Sequence, residues 1–182
     1  MQIESTNIEG LYILTPRVFE DARGYFFESY NESALANQGL KWHWVQDNQS
    51  SSVKGVIRGL HFQAPPYAQT KLIRVLQGVI LDVAVDIRKG SSTYGKHVAI
   101  ELSASNKKQL LIPAGFAHGF SVLSDRAEVL YKCDALYNKE AEGGLFFNDP
   151  DLAIDWRISE QESIVSDKDR VLPLLSELRS PF

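Results

Sequence analysis

The chain has 182 residues, enough for one domain with a full core, and its 44% apolar content is that of a globular protein rather than a disordered one. A net charge of −4 argues against general affinity for nucleic acid, and Cys133 has no partner for an intrachain disulfide. No apolar run approaches the ~20 residues that span a bilayer, and Met1-Gln2-Ile3-Glu4-Ser5 has neither the basic nor the apolar region of a secretion signal, so a cytoplasmic protein without membrane partners is expected.

Strand-like runs dominate in chain order. Leu11 to Leu14 is short, apolar and closed by Pro16. Asp21-Ala22-Arg23-Gly24 reads as a turn, and Tyr25 to Tyr30 as a strand rich in β-formers. Asn31 is placed to cap a short helix that runs to about Gln38 and stops at Gly39. Strands are then expected over 43–47, 56–63, 71–76 and 79–87, with Gln77-Gly78 as a tight hairpin between the last two. In the last of them, Asp82 and Asp86 alternate with Leu81, Val83 and Val85, the period-two pattern of a strand. Further strands fit 97–103, 109–113, 118–123 and 128–133. The more charged tail, 159–178, is expected to form short helices packed on the sheet. Many short strands separated by turn signals point to a β-sandwich or barrel. With no repeat, low-complexity segment or linker, residues 1–182 are expected to form a single domain.

Two segments carry a more specific signal. They are Gly55-Val56-Ile57-Arg58-Gly59-Leu60-His61-Phe62-Gln63 and Pro113-Ala114-Gly115-Phe116-Ala117-His118, and they resemble the paired motifs of the cupin superfamily. That resemblance implies a mainly β, double-sheet jelly roll with short flanking helices. A metal-binding cupin places a second His where this chain has Gln63, and a Glu near Tyr67 or Ala68, where there is none. No metal and no other cofactor is therefore expected, and His61 reads as a base rather than a ligand.

The resemblance narrows further on Asp21-Ala22-Arg23-Gly24-Tyr25-Phe26-Phe27-Glu28, Val45-Gln46-Asp47-Asn48, Gln69-Thr70-Lys71-Leu72, Asp82 to Arg88, Gly115 to Phe120 and Tyr131-Lys132. In order and spacing these resemble the dTDP-4-dehydrorhamnose 3,5-epimerases, over about residues 10 to 175. Epimerising a carbon beside a ketone needs a base, an acid on the other face, and a cation or donor where enolate charge develops. The resemblance assigns His61 as base with Asp169 as its partner, Tyr131 as acid and Lys71 as enolate stabiliser. Without it, Asp169 would read as a solvated surface acid. Periodicity alone puts Arg58 and His61 on opposite strand faces unless a bulge intervenes.

The resemblance also implies a substrate-binding set. Arg23, Arg58 and Lys168 suit a diphosphate, and Glu28, Gln46 and Asn48 a pyrimidine edge. Tyr137 offers a stacking face for thymine, and His118 and Glu142 complete the pocket. Arg23 and Glu28 are expected to come from a neighbouring subunit, so a homodimer acting on a dTDP-sugar is implied. The expected reaction is epimerisation at carbons 3 and 5 of dTDP-4-dehydro-6-deoxy-D-glucose. A 3-only epimerase, a 3,4-ketoisomerase, a metal-dependent cupin oxygenase and a non-catalytic binding cupin are the alternatives.

Overall fold

A computed structural model describes residues 1–182. The strands are β1 (Gln2–Ser5), β2 (Tyr12–Thr15), β3 (Phe19–Asp21), β4 (Gly24–Phe26), β5 (Gln46–Val53), β6 (Ile57–Gln63) and β7 (Lys71–Gln77). They continue as β8 (Val79–Asp86), β9 (His97–Ser103), β10 (Gln109–Ile112), β11 (Phe116–Val122), β12 (Arg126–Cys133) and β13 (Glu142–Gly144). Two one-turn helices, α1 (Glu32–Ala36) and α2 (Asp167–Arg170), flank them. No helix is long and apolar enough to cross a membrane.

Two antiparallel sheets face each other, as expected of a jelly roll. One has the order β1-β2-β10-β7-β12-β5 and the other β13-β6-β11-β8-β9. Alternation along each strand sorts the apolar side chains into three clusters. Ile73, Val75, Leu110 and Val129 meet Ile80, Ala84, Phe116 and Phe120 between the sheets. Leu81, Val83 and Val85 point the other way, under Leu145, Phe147, Trp156 and Val165 of the C-terminal segment. Leu14, Leu72 and Leu111 pack outside the six-stranded sheet against Leu35 of α1. The alternation expected in β8 is thus real, but neither face meets solvent: Asp82 and Asp86 are both fully buried.

Several boundaries differ from the sequence reading. Residues Gln77-Gly78 do not close a hairpin, because β7 and β8 lie in different sheets. Gly78, at φ +78°, is the corner where the chain changes sheet, and a Cβ there would collide with the Arg126 carbonyl. The expected strand 43–47 lies later, at Gln46–Val53, where pairing along the whole of β12 overrides a polar sequence of low strand propensity. Residues 25–30 are strand only as far as Phe26, which ends the small hairpin β3–β4. Asn31 does cap α1, its side chain accepting from the Ala34 N–H at 3.1 Å.

Candidate active site

β6 places the site. His61 pairs with His118 of β11, but Arg58, three residues earlier, pairs across from Phe120. The extra residue is a bulge at Gly59-Leu60, so Arg58 and His61 both turn toward the space between the sheets. Gly59 is required there. Its φ is +124°, and a Cβ would lie 2.5 Å from the Gly119 Cα and 2.8 Å from the His118 carbonyl oxygen.

The cleft has two lobes. The larger, about 500 Å³, is lined by Arg58, His61, Lys71, His118, Tyr131, Lys168 and Asp169 among others. The smaller, about 140 Å³, is lined by Gln46, Asn48, Tyr137 and Glu142. His61, Lys71 and Tyr131 border both, so they stand at the junction. His61 comes from the five-stranded sheet, whereas Lys71 and Tyr131 come from the six-stranded sheet opposite. Register makes the last two near neighbours, with Lys71 beside Cys133 and Ile73 beside Tyr131.

His61 Nε2 lies 2.7 Å from Asp169 Oδ1. Asp169 reaches it from α2, which Ser166 caps by accepting the Asp169 N–H at 3.2 Å. The second oxygen, Oδ2, accepts the Gly59 N–H at 3.2 Å. Burial pushes the Asp169 carboxyl up, but the His61 hydrogen bond and charge, with the Gly59 and Ser166 contacts, outweigh it and hold the group below the usual carboxylate range. A proton on Nε2, facing Asp169, leaves Nδ1 as the free lone pair of the ring.

Across the cleft, burial raises the Tyr131 phenol, Cys133 adds to the rise, and Arg58 opposes it. The phenol therefore keeps its proton at neutral pH. Lys71 is pushed down by burial, against the opposing influence of Cys133, Asp82 and Glu142, and it forms no ion pair. His118 Nε2 lies 2.7 Å from Asp82 Oδ1, a second imidazole–carboxylate pair.

At the mouth, Glu142 holds Lys168 at 2.5 Å and accepts from the Tyr137 hydroxyl at 3.1 Å. Glu142 lies on a short strand, β13, paired with β6. Gln46 Oε1 accepts the Tyr137 N–H at 2.9 Å. Gln63 is committed to structure: its Nε2 donates to the Tyr67 and Leu136 carbonyls at 2.6 and 3.2 Å, and its Oε1 accepts the Asn138 N–H at 2.7 Å. The amide ties two loops together where a metal-binding cupin would offer an imidazole.

The cleft gathers every residue singled out from the sequence except Arg23 and Glu28. Arg23 is at the tip of the β3–β4 hairpin, bonded to Asp21 at 2.6 Å, and Glu28 lies just beyond it, accepting from Asn31 at 2.9 Å. Sequence reasoning missed Asp82, Ser50 and Ser52. Ser50 lines the larger lobe, and Ser52 Oγ accepts from Arg58 Nε at 3.0 Å. The signal for Asp82 was a carboxylate inside an apolar strand. For the serines it was a polar period-two pattern, Gln46, Asn48, Ser50 and Ser52, whose members all face inward.

Comparison with known proteins agrees with this geometry. The family model described as dTDP-4-dehydrorhamnose 3,5-epimerase matches residues 5–177. The dTDP-4-dehydrorhamnose 3,5-epimerase of Escherichia coli K12 is 51% identical over 179 residues, 98% of this chain and 96% of that protein. The crystal structure of the Elizabethkingia anophelis NUHP1 enzyme of the same name superposes with a TM-score of 0.94 at 51% identity, covering 99% of both chains. A Legionella pneumophila dTDP-6-deoxy-D-glucose-3,5-epimerase in complex with dTDP-4-keto-L-rhamnose superposes at 0.93 with 46% identity, covering 97% of this chain and 94% of that one. With a jelly roll whose two sheets hold a paired imidazole and a protonated phenol across one cleft, the chain belongs to the dTDP-4-dehydrorhamnose 3,5-epimerase family.

Proposed function

We propose that this chain, acting as one catalytic unit over residues 1–182, converts dTDP-4-dehydro-6-deoxy-D-glucose to dTDP-4-dehydro-L-rhamnose without a cofactor. The observation that carries the mechanism is the placement of His61 and Tyr131 on facing sheets, bordering the same cleft. Packed sheets lie ~10 Å apart, a gap that suits a sugar ring.

His61 takes the proton from the carbon beside the ketone, and the C–H electron pair moves onto the ketone oxygen. Asp169 stabilises the imidazolium that forms. Lys71 faces the developing oxyanion, an interaction stronger in the transition state than with the neutral ketone. Tyr131 delivers its proton to the opposite face of the same carbon, and solvent reprotonates the phenolate while accepting the proton of His61. Repetition at the second carbon completes the reaction. Arg58, His118 and Lys168 serve the diphosphate side of the pocket. Gln46, Asn48 and Tyr137, with Glu142, serve the base and sugar.

The same reading makes the protein a homodimer in which Arg23 and Glu28 reach the neighbouring cleft. Their absence from the lining of their own cleft supports this, as does the hairpin that carries Arg23, which exposes Phe19, Tyr25 and Phe26 at 51%, 61% and 68%. The test is incubation with dTDP-4-dehydro-6-deoxy-D-glucose in deuterated water. Deuterium with inversion at both carbons is expected. Change at carbon 3 alone would make the chain a 3-only epimerase, and binding without exchange would make it a non-catalytic module.

A further inference from the structure

Behind His118, which lines the larger lobe, stands a carboxylate that the proposed mechanism leaves unassigned. Asp82 is fully buried on β8, and its Oδ1 is bonded to His118 at 2.7 Å, but its Oδ2 finds no protein donor. Lys71 is the complementary case, a cation at the cleft junction with no ion pair. Besides the cations Arg58 and Lys168, the titratable groups that line the cleft around it or act on its charge are His61 from β6, Asp82 from β8, His118 from β11, Tyr131 and Cys133 from β12, Glu142 from β13 and Asp169 from α2. Three of these are carboxylates, and both oxygens of Asp169 are taken, by His61 and by the Gly59 N–H. Glu142 is already committed to Lys168 and to the Tyr137 hydroxyl. The carboxylate oxygen left without a partner therefore belongs to Asp82.

We propose that Asp82 is a positioning residue for the enolate side of the reaction: one carboxylate oxygen fixes the ring of His118, and the other supplies the countercharge for Lys71. The inference rests on the role given to Lys71 above. A neutral lysine in a buried cleft would not oppose developing enolate charge. Burial already acts against the ammonium, and Asp82 is among the groups acting in its favour. Removing the carboxylate should therefore let Lys71 lose its proton at lower pH. Because the charged form is the useful one, activity should be present below that pKa and lost as pH rises through it.

The experiment compares the full chain with Asp82→Asn, Lys71→Ala and the double variant, using dTDP-4-dehydro-6-deoxy-D-glucose as substrate. Asp82→Asn should lower kcat about 10²-fold, leave dTDP affinity within about threefold, and move the alkaline limb of kcat down by about one pH unit. The double variant should be no slower than Lys71→Ala, because the two act as a unit. An unmoved alkaline limb, or losses that multiply in the double variant, would overturn the proposal. Should Asp82→Asn lose dTDP binding and so its fold, Asp82→Ser removes the charge with a smaller side chain, and the same displaced limb is expected. Normal turnover in Lys71→Ala alone would instead refute the role of Lys71 itself, a separate outcome from the failure of Asp82.

Discussion

His61 and Asp169 are 108 positions apart in sequence and meet at 2.7 Å. Nothing in the local pattern around either residue announces that meeting. Ser166-Asp167-Lys168-Asp169 is a charged run on a one-turn helix, and by residue type alone it belongs on a surface. Family resemblance located Asp169; physics alone would have missed it, because the contact depends on where the C-terminal segment lands. Asp169→Asn should be severe, lowering turnover by about 10⁴-fold as the wrong tautomer is favoured, with dTDP binding retained by calorimetry. His61→Ala should abolish isotope exchange at both carbons, at least the ~10²–10⁴-fold that a general base contributes. The depressed Asp169 carboxyl also has a thermodynamic consequence. Its contribution to stability is complete above the ordinary carboxylate pKa of ~4 and is lost as pH falls through its lower folded value. Asp169→Asn should therefore lose less stability than the parent chain on acidification below about pH 4, as read from urea unfolding midpoints.

At the scale of elements, the bulge in β6 decides whether there is a site at all. A regular strand would turn Arg58 away from His61, and the sequence reading left that choice open. The dipeptide Gly59-Leu60 was the visible clue, since a glycine inside an apolar strand often marks a bulge or a close backbone approach. Both hold here, with Gly59 packed against Gly119. Gly59→Ala should cost about 1–3 kcal/mol of stability and remove activity together, measured by denaturation and turnover. A loss of neither would show that the bulge tolerates a side chain and does not set the geometry. Strand β5 was placed too early for a related reason. Its inward residues are polar because they line a cleft, so the apolar alternation that reveals most strands is absent. The corner at Gly78 was misread because a glycine after a polar residue signals a turn equally well within a sheet or between two sheets.

For the whole molecule, a β-sandwich or barrel was legible from strand count and turn spacing, and the jelly roll and the family only from the resemblance carried by the motifs and their order. How the site is completed was legible only through the resemblance, because no residue pattern within one chain marks Arg23 and Glu28 as a neighbour's contribution. Arg23 and Glu28 stand outside the cleft, on and beside a hairpin with three exposed aromatics. If a second copy brings them in, sedimentation should give a dimer. Arg23→Ala should then weaken dTDP binding about tenfold, the value of one charge-assisted contact, while kcat at saturating substrate stays within about twofold. A monomer, or an unchanged dTDP affinity, would exclude that arrangement.

If base and acid work from opposite sheets, as proposed, Tyr131→Phe separates the two. The substitution keeps the ring and its packing and removes only the transferable proton. His61 can still withdraw a proton and return a solvent-derived one to the same face. NMR of the sugar in deuterated water reads isotope content and configuration separately at carbons 3 and 5. The mechanism requires inversion to fall far more than deuterium incorporation, whereas Lys71→Ala should depress both together. Equal loss of exchange and inversion in Tyr131→Phe would contradict it.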